Sequence, residues 1–433
     1  MTHQLQNLRN QAAKLRRLSQ PYFFPYTEDN GWQFLGLLVS LLFCVAGIVL
    51  FLVTGLMNGL SWLFPELSGQ YLGGVQSSLA MLWSRGWGAG ISALFVLGAV
   101  VFASVRGQLR HRRWLPWLFL GLIILMLLSV NGINAGITFL ARDLTNALIA
   151  RDGDASYRNL WIYGACFAVA LPIRSLQFYF TQKLGLFWRE WLSLSLVDDY
   201  LRDRAYYVLN PNDEAATNVD NPDQRISEDV RDFTAQALGF ALNIFDSILT
   251  FSLNILILYS VSEGLTFALL AYASGVSVLM IVAGRKLVRL NNFQLRFEAD
   301  YRYGLVRVRD NAESIAFYAG EQQEAKEVTR RLATVVENFN LLIVWEVLLR
   351  VLQRSSIYAS NFIPYLILAA PILAGEMDYG GFAQANVAYN LVEGSLFFII
   401  YNIEALARFS ASINRLEGFQ SNISNLDPEE WSD

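Results

Sequence analysis

Several charged residues lie inside otherwise apolar stretches of this chain, and six of them are the side chains best placed to contact a polar solute there. A charge that faces lipid at the centre of a bilayer costs at least about 2.5 kcal/mol, so such residues usually face water or an opposite charge. We therefore interpret them as candidates for lining a cavity, contacting a solute or binding a proton. They are Arg174, Asp246, Glu346, Arg350, Arg354 and Glu393.

The spacing of these residues suggests how some of them act. Glu346, Arg350 and Arg354 recur every four residues, so they share one face of a helix, where Glu346 and Arg350 could pair directly. The alternative is that this part of the chain extends out of the membrane and carries a solvated ion pair. Asp246 is either a cavity-lining acid or a hydrogen-bonded structural acid between helices. Arg174 could line the same space or pair with one of the acids.

Side chains suited to catalysis or metal binding are scarce. The two histidines, His3 and His111, lie in basic stretches, and the two cysteines, Cys44 and Cys166, lie in apolar runs. We interpret the cysteines as buried thiols, because their spacing suggests neither a disulfide framework nor a metal site. The sequence contains no G-x-S-x-G, H-E-x-x-H or G-x-x-x-x-G-K-[ST] motif, so these residues predict no hydrolase, zinc protease or P-loop ATPase.

The elements that must position the charged residues are membrane-spanning helices. Hydrophobic residues make up 54% of the 433 residues and charged residues only 16%, whereas about a quarter of a soluble protein is charged. A helix needs about 20 apolar residues to cross a bilayer, and eight stretches qualify, the fourth being interrupted by Pro172 and Arg174. The chain is therefore predicted to be an all-α polytopic membrane protein. The stretches are 34–57, 86–105, 114–140, 160–180, 233–261, 264–284, 341–375 and 379–407.

Lysine and arginine residues are distributed unevenly between the loops. With eight spans both termini lie on one side, and the termini and loops of that side hold 26 of the 33 basic residues, against four in the opposite loops. Because positive residues concentrate on the inner side of a membrane, we expect both termini and the segments 181–232 and 285–340 to be cytoplasmic. These two segments are rich in helix formers, so the helices are expected to continue well beyond the bilayer.

The N-terminal segment lacks the apolar core of a signal peptide. Leu5, Leu8 and Leu15 lie on one helical face, while Arg9 and Arg16 lie mostly on another. We interpret residues 1–30 as an amphipathic helix on the inner membrane surface. A disordered basic tail is the alternative, since so short a helix has little stability alone.

Two polar segments on the predicted cytoplasmic side have distinctive sequences. In NPDQRISEDVRDF (221–233), Asn-Pro starts a turn, Asp223 is placed to cap the following helix, and Glu228 and Asp229 lie in its first turns. The second, ESIAFYAGEQQE (313–324), lies between the sixth and seventh spans. On local chemistry alone, the first segment is a capped helix start in a solvated loop.

Together, the two segments resemble the signature regions of subfamily D of the ATP-binding cassette (ABC) transporters, the peroxisomal and bacterial half-transporter group. The resemblance covers about residues 114–417, and each segment precedes an odd-numbered span. Its residues in the first segment are Asn221, Pro222, Asp223, Gln224, Arg225, Ile226, Glu228 and Asp229. Those in the second, which is similar to the family's EAA motif, are Glu313, Ile315, Ala316, Phe317, Tyr318, Gly320, Glu321 and Glu324.

The resemblance implies an ABC exporter-type domain of six spans that works as a homodimer around a central cavity. Both signature segments would couple it to a nucleotide-binding domain, in cis or in trans, which would bind ATP and Mg²⁺. This sequence shows no Walker lysine, so the chain itself is not expected to be an enzyme. The expected organisation is an amphipathic helix (1–30), two additional spans (31–113), the six-span domain (114–417) and a tail or linker (418–433).

The implied function is transport of a bulky solute, such as a peptide, a cobalamin-like compound or an acyl compound, by alternating access in a bacterial inner membrane. ATP hydrolysis on a domain outside these residues is the energy source that the NPDQRI sequence favours. The alternative is a proton-coupled SbmA/BacA-like peptide transporter, with Asp246 and Glu393 as proton-binding groups. A non-transporting receptor or assembly subunit is a minor alternative. The net charge of −4 gives no indication of nucleic-acid binding.

Overall fold

Helices make up almost all of the structure. The computed structural model of the protein describes residues 2–24, 31–63, 83–84, 87–105, 114–202, 205–208 and 221–424. A π turn, Arg225–Asp229, joins the seventh α-helix to the eighth. In chain order the α-helices are α1 (Thr2–Phe23), α2 (Gly31–Leu63), α3 (Trp87–Val105), α4 (Trp114–Ile149), α5 (Gly153–Leu201), α6 (Ala205–Val208), α7 (Pro222–Gln224), α8 (Val230–Val261), α9 (Glu263–Asp310), α10 (Ala312–Phe317), α11 (Glu321–Leu373), α12 (Tyr379–Tyr401) and α13 (Ile403–Ser424).

The apolar helices confirm the predicted class of protein. Within the described ranges, six helices are long and apolar enough to cross a membrane, and α3 contains a shorter apolar helix, Gly88–Ser104. The eighth predicted stretch corresponds to α12 and the start of α13. The chain is thus an all-α polytopic membrane protein.

Three helices are much longer than a bilayer requires. The lengths of α5, α9 and α11 are 49, 48 and 53 residues, whereas about 20 residues suffice for one crossing. At 1.5 Å per residue, α9 and α11 each extend for about 70–80 Å. The predicted helical extensions beyond the apolar segments are therefore confirmed.

The fourth span differs from its prediction at Pro172. The sequence marks an interruption there, but α5 continues unbroken from Gly153 to Leu201. Proline removes one backbone donor and clashes with the preceding turn, which breaks many helices in water. In membrane helices, neighbouring groups and small local adjustments satisfy the freed carbonyl group, so a proline is tolerated.

The chain divides into two compact units, the first formed by the described parts of 1–140, 151–253 and 402–433. Its core is aromatic and includes the end of α1. Tyr22 stacks on Trp188 with ring centroids 6.0 Å apart, and Trp117 Nε1 donates to the carbonyl oxygen of Phe23 at 2.9 Å. The predicted N-terminal helix therefore forms, and its end packs against protein.

The side chains that define the predicted apolar face of α1 are only partly described. Leu15 packs against the core and Leu18 is buried in it. Leu5, Leu8 and Arg9 have side chains outside the described set. The position of α1 on a membrane surface stays a prediction.

The second unit consists of residues 141–150 and 254–401 and is built on an antiparallel pair of helices, α9 and α11. Asn338 of α11, which is buried, donates to the carbonyl oxygen of Leu290 at 3.1 Å and to Gln294 Oε1 at 2.9 Å. Further along, Tyr272 Oη donates to the carbonyl oxygen of Ser356 at 2.6 Å. These bonds fix the register of the two helices.

Candidate functional site

A hydrogen-bonded polar group lies among the spans of the first unit, and we call Asn131, Arg174, Asp246 and Thr250 the Asp246 cluster. Asn131 Nδ2 of α4 donates to Asp246 Oδ1 at 2.6 Å, and Arg174 Nη2 of α5 lies 3.5 Å from Asp246 Oδ2. Thr250 Oγ1 donates to Asn131 Oδ1 at 2.6 Å. A carboxylate with an arginine and an amide donor avoids much of the cost of an isolated charge in the membrane.

Two members of the Asp246 cluster were predicted and two were missed. The structure brings Arg174 and Asp246 together, which is one of the two arrangements that the sequence left open for Arg174. Asn131 and Thr250 carry no charge, so a search for charged residues in apolar runs passes over them. The signal that could have found Asn131 is an amide within the otherwise apolar run 114–140, because such a group needs a partner there.

Glu393 of α12 lies inside the second unit. Only 9% of its surface is exposed, and its Oε1 has no hydrogen-bond partner in the part of the chain that the structure describes. One turn earlier on α12, Tyr389 Oη lies 2.9 Å from Ser360 Oγ of α11. Ser360 also forms a hydrogen bond with the Glu393 carboxyl group. Glu393 therefore belongs to a polar contact between two helices, with one carboxyl oxygen left for a further donor.

Glu346, Arg350 and Arg354 form a charged row along α11, and we call it the α11 row. Arg350 and Arg354 are exposed and Glu346 is half-buried. Among the described residues no ion pair joins Glu346 to Arg350, so the direct pairing that their spacing allowed is not formed.

The depth of the α11 row follows from the register of α9 and α11. The bonds from Asn338 to Leu290 and from Tyr272 to Ser356 share one antiparallel register. By that register the row lies beside residues 274–282 of α9. These residues belong to the uncharged run 264–284, so the charges are level with a segment that lacks charges of its own.

The segment 221–229 begins α8 with a tight turn. Asn221 has a left-handed backbone conformation, with φ of 51°, and the buried Pro222 is the first helical residue. Asn221 thus occupies the cap position, and the prediction that Asp223 caps the helix is wrong, since Asp223 lies within the first turn. Proline explains the start, because its fixed φ and missing N–H suit the first helical position.

The polar side chains of this segment have two kinds of environment. Asp229 is 5% exposed, and it accepts from Arg225 Nη1 at 2.7 Å. Asp223, Gln224 and Glu228 are exposed, with Gln224 Nε2 donating to Glu228 Oε2 at 3.2 Å. The exposed residues are accessible to another molecule, whereas the two charges that pair stabilise the turn.

Asp229 also binds a residue that the sequence did not single out. Arg415 of α13 contacts it through two nitrogens, with Nε 3.0 Å from Oδ2 and Nη2 2.7 Å from Oδ1. This bidentate geometry is the strongest that an arginine and a carboxylate form. Arg415 lies 186 positions further along the chain, so no local pattern relates the two residues.

The segment that is similar to the EAA motif forms an exposed tip between α9 and α11. Phe317 and Tyr318 are 82% and 79% exposed, and their ring centroids lie 5.1 Å apart in an edge-to-face arrangement. The chain reverses at Ala319, which has φ of 49°, and the Gly320 N–H donates to the carbonyl oxygen of Ile315 at 2.9 Å. We call residues 312–320 the aromatic tip.

Charged residues flank the aromatic tip on both sides. Glu313 and Glu321 are exposed, while Glu324 forms an ion pair with Arg307 of α9. This ion pair joins the two long helices just below the tip. The tip therefore presents two aromatic rings and two carboxylates on a braced helical pair.

Comparison with known proteins gives these features a context. Residues 108–373 match the family described as ABC transporter transmembrane region 2. An uncharacterized ABC transporter ATP-binding protein of Synechocystis is 43% identical over 94% of this chain and 61% of its own length. An Arabidopsis chloroplastic ABC transporter D family member 2 is 32% identical over 71% of this chain and 43% of its own length.

A human lysosomal cobalamin transporter is 28% identical over 59% of this chain and 42% of its own length. This chain thus spans between about two fifths and three fifths of these relatives. The family match covers more than half of the chain, including both signature segments. The chain therefore belongs to the ABC transporter transmembrane region 2 family, as a membrane domain of the subfamily D half-transporter type.

Proposed function

We propose that this chain is the membrane-spanning part of an ABC transporter that moves a bulky solute by alternating access, in a homodimer and with energy from ATP hydrolysis. The observation that carries the proposal is the aromatic tip. Two large rings that are about four fifths exposed are an unfavourable surface to leave in water and a favourable one to dock. A nucleotide-binding domain is the partner that the family provides for this position.

The helices that hold the aromatic tip are suited to transmit its movement. α11 runs without a break from Glu321, beside the tip, to Leu373. Arg350 lies 29 residues along this helix, about 44 Å from its start at 1.5 Å per residue. A displacement of the tip is therefore carried by one rigid element to the α11 row.

The α11 row supports a polar path. Arg350 and Arg354 are exposed on the described chain and level with the uncharged run of α9. Facing lipid, each would cost at least about 2.5 kcal/mol. A water-filled space between two copies of the chain removes this cost and gives the arginines access to a solute.

The solute class is proposed from relatives and from the mixed charges. A peptide, a cobalamin-like compound or an acyl compound is large and carries both polar and apolar groups. Taken by itself, the Asp246 cluster in the first unit carries both signs of charge among apolar side chains, and so does the α11 row in the second unit. The human relative is named a cobalamin transporter, so cobalamin is a first probe.

ATP and Mg²⁺ would bind to the nucleotide-binding domain, which supplies the hydrolysis that drives the cycle. No group of three His, Cys, Asp or Glu side chains within the described residues is arranged to hold a metal ion. The part that we assign to the residues of this chain is to dock the domain, transmit movement and line the path. We place the protein in a bacterial inner membrane with both termini cytoplasmic.

The test joins this membrane region to its nucleotide-binding domain, in cis or in trans, in proteoliposomes. Labelled cobalamin and a labelled linear peptide are the probes. Replacing the aromatic tip by Phe317→Ala with Tyr318→Ala should lower ATP-dependent uptake at least tenfold, because the docking surface is lost. The matched control is Tyr303→Ala, which removes an aromatic ring that is 65% exposed on α9.

Two outcomes would reject the proposal. Uptake that is unchanged in the double variant would show that the aromatic tip has no role in coupling. Equal losses in the control would show that the effect is not specific to the tip.

Proton coupling is the second candidate, and Glu393 is the observation that favours it. One of its oxygens lacks a partner among the described residues, as a site that binds a proton reversibly would require. If a pH gradient alone drives uptake, Asp246→Asn and Glu393→Gln should each abolish it. Unchanged gradient-driven uptake in both variants would remove this candidate.

A further inference from the structure

The segment of α13 around Arg415 is held from two sides within the first unit. On one side, Arg415 binds the buried carboxylate of Asp229 through two nitrogens. On the other side, α1 binds the neighbouring residues: Lys14 Nζ lies 3.0 Å from Glu417 Oε2 and donates to Asn414 Oδ1 at 3.1 Å. α13 is thereby connected to two separate elements through adjacent positions.

The Asp229 side of this arrangement coincides with an irregular turn. Residues 225–229 form a π turn, in which the N–H of Val230 donates to the carbonyl oxygen of Arg225. One extra residue in a helical turn weakens the regular bonding and gives the helix an alternative register, and such turns are frequent at functional sites. Arg225 and Arg415 both bind Asp229, the last residue of the turn. Two ion pairs therefore hold the end of the turn in place.

The α1 side has more contacts. Besides Lys14, Arg17 Nη1 lies 3.8 Å from Glu417 Oε1, and Gln11 Nε2 donates to Asn414 Oδ1 at 3.1 Å. The end of α1 is anchored in the aromatic core through Leu18, which is buried. Several weak surface bonds together with an apolar anchor make a stable contact, whereas one surface ion pair alone contributes little.

We propose that α1 and α13 move as one body, that the π turn at the base of α8 acts as a hinge, and that Asp229 is the positioning residue that joins the two. The inference rests on the proposed transport function and assigns roles that the family match does not give to Arg415 or α1. α8 carries Asp246 17 residues beyond the hinge, about 26 Å along the helix. A shift at the π turn thus reaches the Asp246 cluster through a continuous helix.

The first test breaks the ion pair between Asp229 and Arg415, which we call the joint, and leaves α1 unchanged. Arg415→Ala in the transporter with its nucleotide-binding domain should lower the ratio of cobalamin or peptide transported to ATP hydrolysed at least fivefold. The loss should lie in the turnover number for transport and not in the KM for ATP, because the nucleotide site is elsewhere. Arg415→Lys, which keeps the charge but cannot form the bidentate contact, should recover the ratio only in part.

The matched control for this test is Arg231→Ala. Arg231 is an exposed arginine two residues beyond Asp229, and it pairs only with its neighbour Asp232 among the described residues. Its removal changes the charge equally but leaves the joint intact, so the transport ratio should not change. Asp229→Asn, which preserves the size of the side chain, gives a second way to break the joint if Arg415→Ala is poorly folded.

The outcomes separate this inference from the proposed function. A wild-type protein with no ATP-dependent uptake of either probe contradicts the proposed function itself. A wild-type protein that transports, together with Arg415→Ala and Asp229→Asn variants of unchanged ratio, overturns only the role of Asp229.

The second test concerns α1 and α13 as one body. Lys14→Cys and Glu417→Cys are introduced after the native Cys44 and Cys166 are replaced by serine, and a short bifunctional thiol reagent then joins the two helices. Transport should stay within twofold of the untreated value, because the helices do not separate during the cycle. A larger loss that the same reagent does not cause in either single-cysteine variant would overturn this part of the inference.

Discussion

Asp378, in the short connection between α11 and α12, contacts three other residues through its carboxylate. It accepts from Asn146 Nδ2 and from the Gly381 N–H, both at 2.7 Å, and Arg142 Nη2 lies 3.9 Å away. Burial alone would raise the pKa of this carboxyl group, but the bonds from Asn146 and Gly381 and the charge of Arg142 outweigh it and lower the pKa. Asp378 therefore stabilises the folded protein more as an anion than as a neutral acid.

The first prediction concerns Asp378 and pH. Asp378→Ala should lower the free energy of unfolding by about 1 kcal/mol at pH 7. Buried charge-assisted hydrogen bonds contribute more than this, but Asp378 is partly exposed and solvent weakens its bonds. Because the folded-state pKa is depressed, the difference from wild type should be constant between pH 5 and 8 and shrink below about pH 4. Thermal unfolding in detergent measures it. Glu376→Ala, in the same connection, is the control, and an equal effect there would contradict the prediction.

At the scale of residues, the sequence predicted which charged residues matter but not which residues they contact. Asp246 and Glu393 could be predicted as site candidates, because an acid in an apolar run is costly and therefore indicates a polar partner or a function. Their neutral neighbours carry weaker signals: Asn131 is marked only as an amide in an apolar run, and Ser360 is common in ordinary helices. The role of Arg415 could not be predicted for another reason, because it depends on a contact with Asp229, which lies 186 positions away in the chain.

At the scale of elements, apolar length predicted the helices and failed at their local irregularities. All eight apolar stretches correspond to helices, since a backbone in lipid must bond internally. The break at Asn402 between α12 and α13 could not be predicted, because no glycine or proline lies there. The unbroken course of α5 through Pro172 likewise depends on surroundings that a single stretch of sequence does not contain.

The second prediction concerns the pairing of α9 and α11. Asn338→Leu keeps the branching and the number of side-chain heavy atoms but removes the donors to the Leu290 carbonyl oxygen and to Gln294 Oε1. A buried acceptor that is left unsatisfied costs about 1–3 kcal/mol. Amide hydrogen exchange in residues 290–340 should therefore become faster by roughly tenfold or more. Asn340→Leu, at an exposed position of the same helix, should leave the exchange unchanged. Equal exchange in the two variants would show that Asn338 does not hold the pair.

At the scale of the molecule, the surface of the described chain needs more than one environment. Large apolar side chains are exposed on α11, among them Leu348 and Val351. Arg350 and Arg354 are exposed on the same helix and at the same depth. Lipid suits the first kind of residue and water suits the second, so a single surrounding medium cannot satisfy both. The homodimer proposed above would resolve the conflict by enclosing a water-filled space against the row of arginines.

The third prediction follows from this conflict. With Cys44 and Cys166 replaced by serine, a cysteine at Arg350 or Arg354 should react quickly with a membrane-impermeant thiol reagent, because thiolates form only in water. A cysteine at Leu348, about 160° around the helix from Arg350, should react at least tenfold more slowly. Trapping the transporter with ATP and vanadate should change the rates at Arg350 and Arg354 and not at Leu348. Faster labelling at Leu348 would place lipid where the path is proposed, and two copies would then have to meet along another face.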